Sequence, residues 1–270
     1  MTTAGHPPFP ELTAAQLANI KRLLKEKQAR DADRLFVMEG AKPIRELLRV
    51  RSPAIESIII TQPYLDTCEP AVCRALDAQP VFLCRNTLFE KLADTTTSQG
   101  ILAVLRKPAW DQAAIFKRPQ VLGMYGECLQ DPTNVGTIIR TAAAFGLDGL
   151  WLSADSADVF NPKIVRATAG TLLKLPVFTV KSIGELAQAH CALLAADSSG
   201  KHARRMDEIT SIPVKTIIAL GNESRGLSGD TLRAATIRFH IPISPDAESL
   251  NVAASAAIAA FHFSRVAKEG

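Results

Sequence analysis

No apolar run in this 270-residue chain reaches the ~18 to 20 residues that a membrane span requires. Its start, MTTAGHPPFPELT, has no basic segment with an apolar stretch behind it, so no secretory signal is read there. A cytoplasmic protein without membrane contact is the expectation. Cysteine is sparse: Cys68, Cys73, Cys84, Cys128 and Cys191 are odd in number and include no C-x-x-C pair. That argues against a disulfide framework and a zinc site, and leaves reduced, mostly packed thiols. The histidines, His6, His190, His202, His240 and His262, show no metal-ligand or triad spacing, so no metal is expected. G-x-S-x-G is missing, because Ser224 lies in G-N-E-S-R-G, which removes the hydrolase elbow. The P-loop pattern is missing too.

What is present is the composition of a folded chain, with 47% hydrophobic and 21% charged residues. At roughly 150 residues per domain, the length allows about two domains. A net charge of +4 permits a polyanionic partner without demanding one. From Thr13 a helix is expected, with Leu17, Ile20, Leu23 and Leu24 on one face. Lys21 to Arg34 carries six basic residues against three acidic ones, which reads either as a solvated helix face or as a nucleic-acid contact. Short strands at Leu35 to Glu39, Ile58 to Thr61, Val81 to Leu83 and Gly100 to Leu105 alternate with helices at Ala41 to Val50, Pro70 to Leu76 and Leu88 to Leu92. This pattern predicts a small α/β domain over residues 13–107, followed by a linker over 108–119 that holds Trp110.

A second domain over 120–270 opens with the strand Val121 to Tyr125, after which Asn134 can cap a helix from Val135 to Phe145. Strands at Leu150 to Leu152, Val177 to Thr179 and Leu193 to Ala195 alternate with helices at Pro162 to Leu173 and from Ile183. The alternation predicts a mostly parallel α/β sheet with ligands at its carboxyl ends. An ordinary dinucleotide site would place G-x-G-x-x-G after the first strand, yet ECLQDPTN contains no glycine. The best cofactor turn is instead Gly221 to Gly226, which follows the buried strand Ile217 to Leu220. Another strand, Ile237 to Ile241, stops at Pro242, and the loop Ile243 to Glu248 leads to a long apolar helix, Val252 to Phe263. Either Ser249 or Asn251 can cap that helix.

Three segments in one order carry a resemblance: Asn134, Gly136 and Arg140; the turn GNESRGLS; and IPISPDAESLNVAAS. Together they resemble the SpoU/TrmH family of S-adenosylmethionine-dependent RNA ribose 2′-O-methyltransferases, over about residues 119–266. The region before it looks like that family's RNA-binding domain. The resemblance implies a SPOUT-like catalytic domain with a trefoil knot, a feature that chain physics alone would not propose. It implies a cofactor held by Leu220, Gly221, Asn222, Ile241, Ile243, Leu250 and Asn251, and a catalytic set of Arg140, Asn134, Glu223, Ser249 and Asn251. Glu223 and Asn251 are expected to fix Arg140 and the ribose. A guanidinium is a poor base, so Arg140 is expected to grip a phosphate and stabilise the developing oxyanion. The motifs do not identify the proton acceptor.

The implied partner is RNA, ribosomal RNA ahead of tRNA, contacted by Lys21, Arg22, Lys25, Arg30 and Arg34. Lys201 to Arg205, KHARR, is balanced between RNA contact and solvation. The competing reading is a catalytically silent RNA-binding protein. Singly, Asn134 reads as an N-cap, Arg140 as a surface residue and Ser249 as a cap; three motifs in register weaken those readings together. A homodimer through the catalytic domain is expected, because the helix from Val252 has almost no polar face, with Ala256 and Ala260 taken as interface positions.

Overall fold

Thr13 opens the first helix through a capping box: its Oγ accepts from the Gln16 amide at 3.3 Å, and the Gln16 side chain accepts from the Thr13 amide at 2.9 Å. The computed structural model describes residues 9–92, 98–197 and 203–268. Its contacts divide them into one unit of Met1–Pro108 with Phe160–Gly170 and another of Ala109–Val159 with Thr171–Gly270.

In the first unit, α1 (Ala14–Lys25) and α2 (Lys27–Asp33) precede β1 (Leu35–Glu39), α3 (Ala41–Arg49) and β2 (Ile55–Ile60). Then come α4 (Gln62–Thr67), α5 (Pro70–Leu76), β3 (Val81–Leu83), α6 (Asn86–Phe89) and β4 (Ile101–Arg106). The sheet order is β1-β4-β2-β3, with only β2 and β3 parallel. Strand β4 is buried along all but its last residue because it lies between two strands and under helices on both faces. Ile20, Leu23, Val37, Ile59, Phe89, Leu102 and Val104 form the core on one face.

The second unit runs through α7 (Gln112–Phe116), β5 (Val121–Gly126), α8 (Pro132–Ala144) and β6 (Gly149–Ser153). The next helix, α9 (Pro162–Ala167), belongs to the first unit, where Phe160 meets Phe36 at 5.0 Å and Lys107 lies 4.6 Å over the Phe160 ring. The second unit resumes with β7 (Val177–Val180), α10 (Gly184–Gln188), β8 (Ala192–Ala196), β9 (Arg204–Arg205) and β10 (Ser211–Ile212). It ends with β11 (Lys215–Leu220), α11 (Gly229–Ala234), β12 (Ile237–His240), α12 (Val252–Arg265) and β13 (Ala267–Lys268). Seven strands form a wholly parallel sheet in the order β7-β6-β5-β11-β8-β12-β9. Trp151 is stacked between Phe116 and Phe178, with centroids 5.2 and 5.6 Å away. A side chain at Gly123 would collide with that indole, so glycine there makes the room.

Four expectations need correction. The basic helix does not run unbroken to Arg34: Glu26 is extended (φ −110°, ψ 117°), and the break turns Arg30 inward. Cys68 and Cys73 form a disulfide rather than reduced thiols, because the turn from α4 into α5 brings their Cα atoms to 6.4 Å. The stretch expected as a linker contains α7, whose Ile115 is buried in the second unit's core. The helix expected to reach Leu173 stops at Ala167, because Ala169 and Gly170 take positive φ. Among the described residues, no helix is long and apolar enough to cross a membrane.

Candidate active site

Strand β5 delivers the chain into a loop whose Asp131, not Asn134, caps α8; Asp131 Oδ1 accepts from the Thr133 amide at 2.8 Å. Asn134 therefore sits inside the first turn, 7% exposed, with its side chain free for other bonds. Its Nδ2 donates to Glu223 Oε1 at 2.8 Å, and its Oδ1 accepts from Asn251 Nδ2 at 3.0 Å. Asn251 Oδ1 in turn accepts from the amides of Ala253 (2.8 Å) and Ala254 (3.4 Å), so Asn251, not Ser249, caps α12. The polarity of this chain of bonds is fixed at both ends. Helix amides can only donate and a carboxylate can only accept, so neither asparagine can be flipped without losing bonds. One network thus joins the loops after β5, β11 and β12.

The turn after β11 is folded tightly on itself. Asn222 and Gly226 exchange main-chain bonds of 3.1 and 2.9 Å, and Asn222 Oδ1 accepts from the amides of Ser224 (3.0 Å) and Arg225 (3.2 Å). A Cβ on Gly221 would lie 2.1 Å from the Gly226 carbonyl carbon, which leaves room for glycine alone. Asn222 Nδ2 reaches back to the Cys128 carbonyl at 2.9 Å and ties this turn to the loop after β5.

Sequence reasoning missed two further anchors. Glu127 accepts from the Ser228 amide, the Ser228 hydroxyl and the Thr231 hydroxyl, each at 2.8 Å, and so clamps the start of α11 to the end of β5. The signal for it was Ser228 before Gly229, an N-cap pattern. Cys128 takes a left-handed φ of 54°, its amide donates to Ser153 Oγ at 2.7 Å, and its thiol donates to Asp155 Oδ2 at 2.7 Å. The bond to the Asp155 carboxylate, helped by burial, pushes the Cys128 thiol up to about 11, while the same bond and that from Ser153 hold Asp155 below its ordinary value.

Arg140 stands apart. It is six residues beyond Asn134, about 120° around the helix at ~100° per residue, on the exposed face with Thr133 and Thr137. It has no hydrogen bond or ion pair among the described residues, so the expectation that Glu223 and Asn251 hold it is corrected: both hold Asn134 instead. Ser249 is exposed. Of the expected cofactor residues, Leu220 is buried, Gly221, Asn222 and Ile241 are partly covered, and Ile243 and Leu250 are 38% and 37% exposed.

The SpoU rRNA Methylase family model matches residues 125–261, just over half of the chain. The chain belongs to this family. An MRM3-like substrate binding domain model matches residues 18–103. Among SpoU relatives, the chain is 37% identical over 188 residues to a Synechocystis sp. protein described as a tRNA/rRNA methyltransferase, covering 68% of each chain. It is 29% identical over 245 residues to the 23S rRNA (guanosine(2553)-2′-O)-methyltransferase RlmP of Bacillus subtilis, covering 88% of this chain and 92% of that one. The SpoU methyltransferase AviRb of Streptomyces viridochromogenes, solved in complex with AdoMet, superposes with a TM-score of 0.80 at 26% identity, covering 94% and 98% of the two chains. In SpoU terms, all three motif loops of this chain meet at the carboxyl ends of β5, β11 and β12.

Of the five basic residues of the SpoU chain's first unit expected to meet RNA, Arg22 and Arg30 are engaged within the unit. Arg22 is taken up by Asp33 (2.5 Å) and Asn19 (2.9 Å). Arg30, 3% exposed, donates to the Leu23 carbonyl at 2.7 Å and is a structural residue. Arg34 is exposed at the left-handed end of α2 (φ 54°), and Lys21 and Lys25 flank a cavity beside α9. Lys201 and His202 of KHARR, like His6, lie outside the described residues; Arg205 pairs with Asp207 at 2.8 Å.

Proposed function

We propose that this protein transfers a methyl group from S-adenosylmethionine to a ribose 2′-OH of ribosomal RNA, and that it works as a homodimer. The observation that carries the reading is the network Glu223–Asn134–Asn251, which closes three loops into one rigid frame while leaving Arg140 exposed and without a partner among the described residues. The donor set suits the cofactor. Ile241, Ile243 and Leu250 offer apolar surface for an adenine, beside the tight turn that Gly221 and Gly226 close on each other. When bound, S-adenosylmethionine supplies an electrophilic methyl group on a sulfonium.

The residues of this chain supply position and field. Asn251 holds the start of α12 and Asn134 holds Glu223, so the turn at Gly221 cannot drift relative to the acceptor side. Arg140 grips an RNA phosphate and stabilises the alkoxide as the 2′-OH loses its proton. A knot in the chain belongs to the same reading.

The dimer is supported by the exposed face of α12. Ala254, Ile258 and Phe261 recur at helical spacing, and Phe261, 51% exposed, meets Phe145, 37% exposed at the end of α8, at 5.9 Å. A partner seated on this apolar face would complete the acceptor side around Arg140. Ala256 and Ala260, expected from the sequence at the interface, are instead fully buried within the protomer.

The test is to incubate the protein with methyl-labelled S-adenosylmethionine and ribosomal RNA from cells that lack it, then map the labelled ribose. Label in one 2′-O position is the expected result. Label in tRNA alone would shift the substrate, and RNA binding with neither label nor cofactor binding would install the catalytically silent reading.

A further inference from the structure

Three segments far apart in sequence converge on one cavity of the first unit: α1, the end of α6 and the segment 160–170. The cavity, about 280 Å³, is lined by Lys21, Lys25, Lys91 and Lys163, with Leu24, Leu92 and Pro162 as apolar floor. Among the described residues, none of the four ammonium groups has an acidic partner and no carboxylate lines the cavity. That contrasts with the neighbouring cations: Arg22 is paired with Asp33 and Lys107 with Asp31 at 2.6 Å. Four like charges around one concavity repel one another and cost folding free energy unless an anion sits between them. The long lysine stems lie along apolar surface and let the amines follow an anion of variable geometry.

We propose that this cavity grips the phosphate backbone of the RNA substrate, through Lys21, Lys25, Lys91 and Lys163, as an anchor separate from the methyl-transfer site. The inference rests on the RNA reading above and sharpens it. A single phosphate would leave most of the four charges uncompensated, whereas successive backbone phosphates present a row of anions whose counterions are released on contact. The apolar floor suits the sugar edge of the same strand. Two of the four lysines, Lys91 and Lys163, are isolated in sequence, so no charge run marks them. The site exists only because Phe160–Gly170 folds into the first unit.

The test uses the full chain and a 23S rRNA transcript, with binding followed by filter retention across a salt series. One variant carries K21Q, K91Q and K163Q; a control carries K42Q, K117Q and K181Q, which removes the same charge from exposed positions elsewhere. The anchor variant should bind at least tenfold more weakly, with the slope of log affinity against log salt reduced by about 2 to 3 at ~0.7 to 0.9 per phosphate contact. The control should stay within about threefold of wild type, and calorimetry should give unchanged cofactor affinity in both. Equal affinity and slope for the two variants, with wild type binding and methylating the transcript, would overturn the anchor alone. A wild type that neither binds nor methylates RNA would remove the functional reading and the anchor with it.

Discussion

Glu223 accepts a hydrogen bond from the Asn134 side chain at 2.8 Å across 89 residues of sequence, and Asn134 is buried. Removing the acceptor with Glu223→Ala leaves an amide N–H without a partner, at a cost of about 1–3 kcal/mol. Glu223→Gln keeps an oxygen for that bond and should lose less. The expected outcome is a lower denaturation midpoint and at least a tenfold lower kcat for Glu223→Ala, with Glu223→Gln between it and wild type. Wild-type stability in Glu223→Ala would show that the frame does not depend on this bond.

Arg140 invites the opposite pattern. It is exposed and unbonded among the described residues, so Arg140→Ala should change stability by no more than about 0.5 kcal/mol. Methyl transfer should fall at least a hundredfold while cofactor affinity stays within a few-fold. Single-turnover rates and calorimetry on the same preparation check both halves, and a wild-type rate would remove Arg140 from the mechanism.

The members of the frame were legible in the sequence, because Asn134, Glu223 and Asn251 each lie in a short motif. Their pairing was not. Nothing in a linear pattern says that Asn134 faces Glu223 rather than Arg140, since that depends on Asp131 taking the cap and shifting the helix start. The α/β alternation exposed both sheets, but local propensity hid the break at Glu26, where no glycine or proline marks it, and with it the burial of Arg30. The return of Phe160–Gly170 to the first unit was invisible for a similar reason: it is a tertiary choice made by Phe160 packing on Phe36.

Cys128 is the accessible test of the loop after β5. Its thiol, lifted from 9.0 to about 11 by the Asp155 carboxylate, stays protonated at neutral pH and should alkylate slowly despite its partial exposure. Because the folded value is raised, the stability this proton contributes is fully present below pH 9.0 and lost as pH rises through about 11. Asp155 is shifted down, so its contribution is present above 3.8 and lost on acidification. Asp155→Asn removes the charge and should raise the iodoacetamide rate at Cys128 about tenfold at pH 8, read by peptide mass mapping. An unchanged rate would mean that the carboxylate does not govern the thiol.

The dimer prediction separates two faces of one helix. Ala256 and Ala260 lie at 0% exposure against the protomer's own core, so Ala256→Glu buries an unpaired charge and should yield unfolded protein. Ile258 and Phe261 are uncovered, at 36% and 51%, and a charge there meets water in the monomer. Ile258→Glu and Phe261→Glu should therefore keep the thermal unfolding transition of a folded protomer while shifting sedimentation from dimer to monomer. A functional two-fold interface of this kind commonly buries more than ~2,000 Å², so one buried charge near its centre is enough to open it. Activity should fall with the dimer, because the exposed face of Arg140 would lose the surface proposed to complete it, and cofactor affinity should fall less. A folded monomeric Phe261→Glu variant with full methyl transfer would leave α12 without a role in assembly.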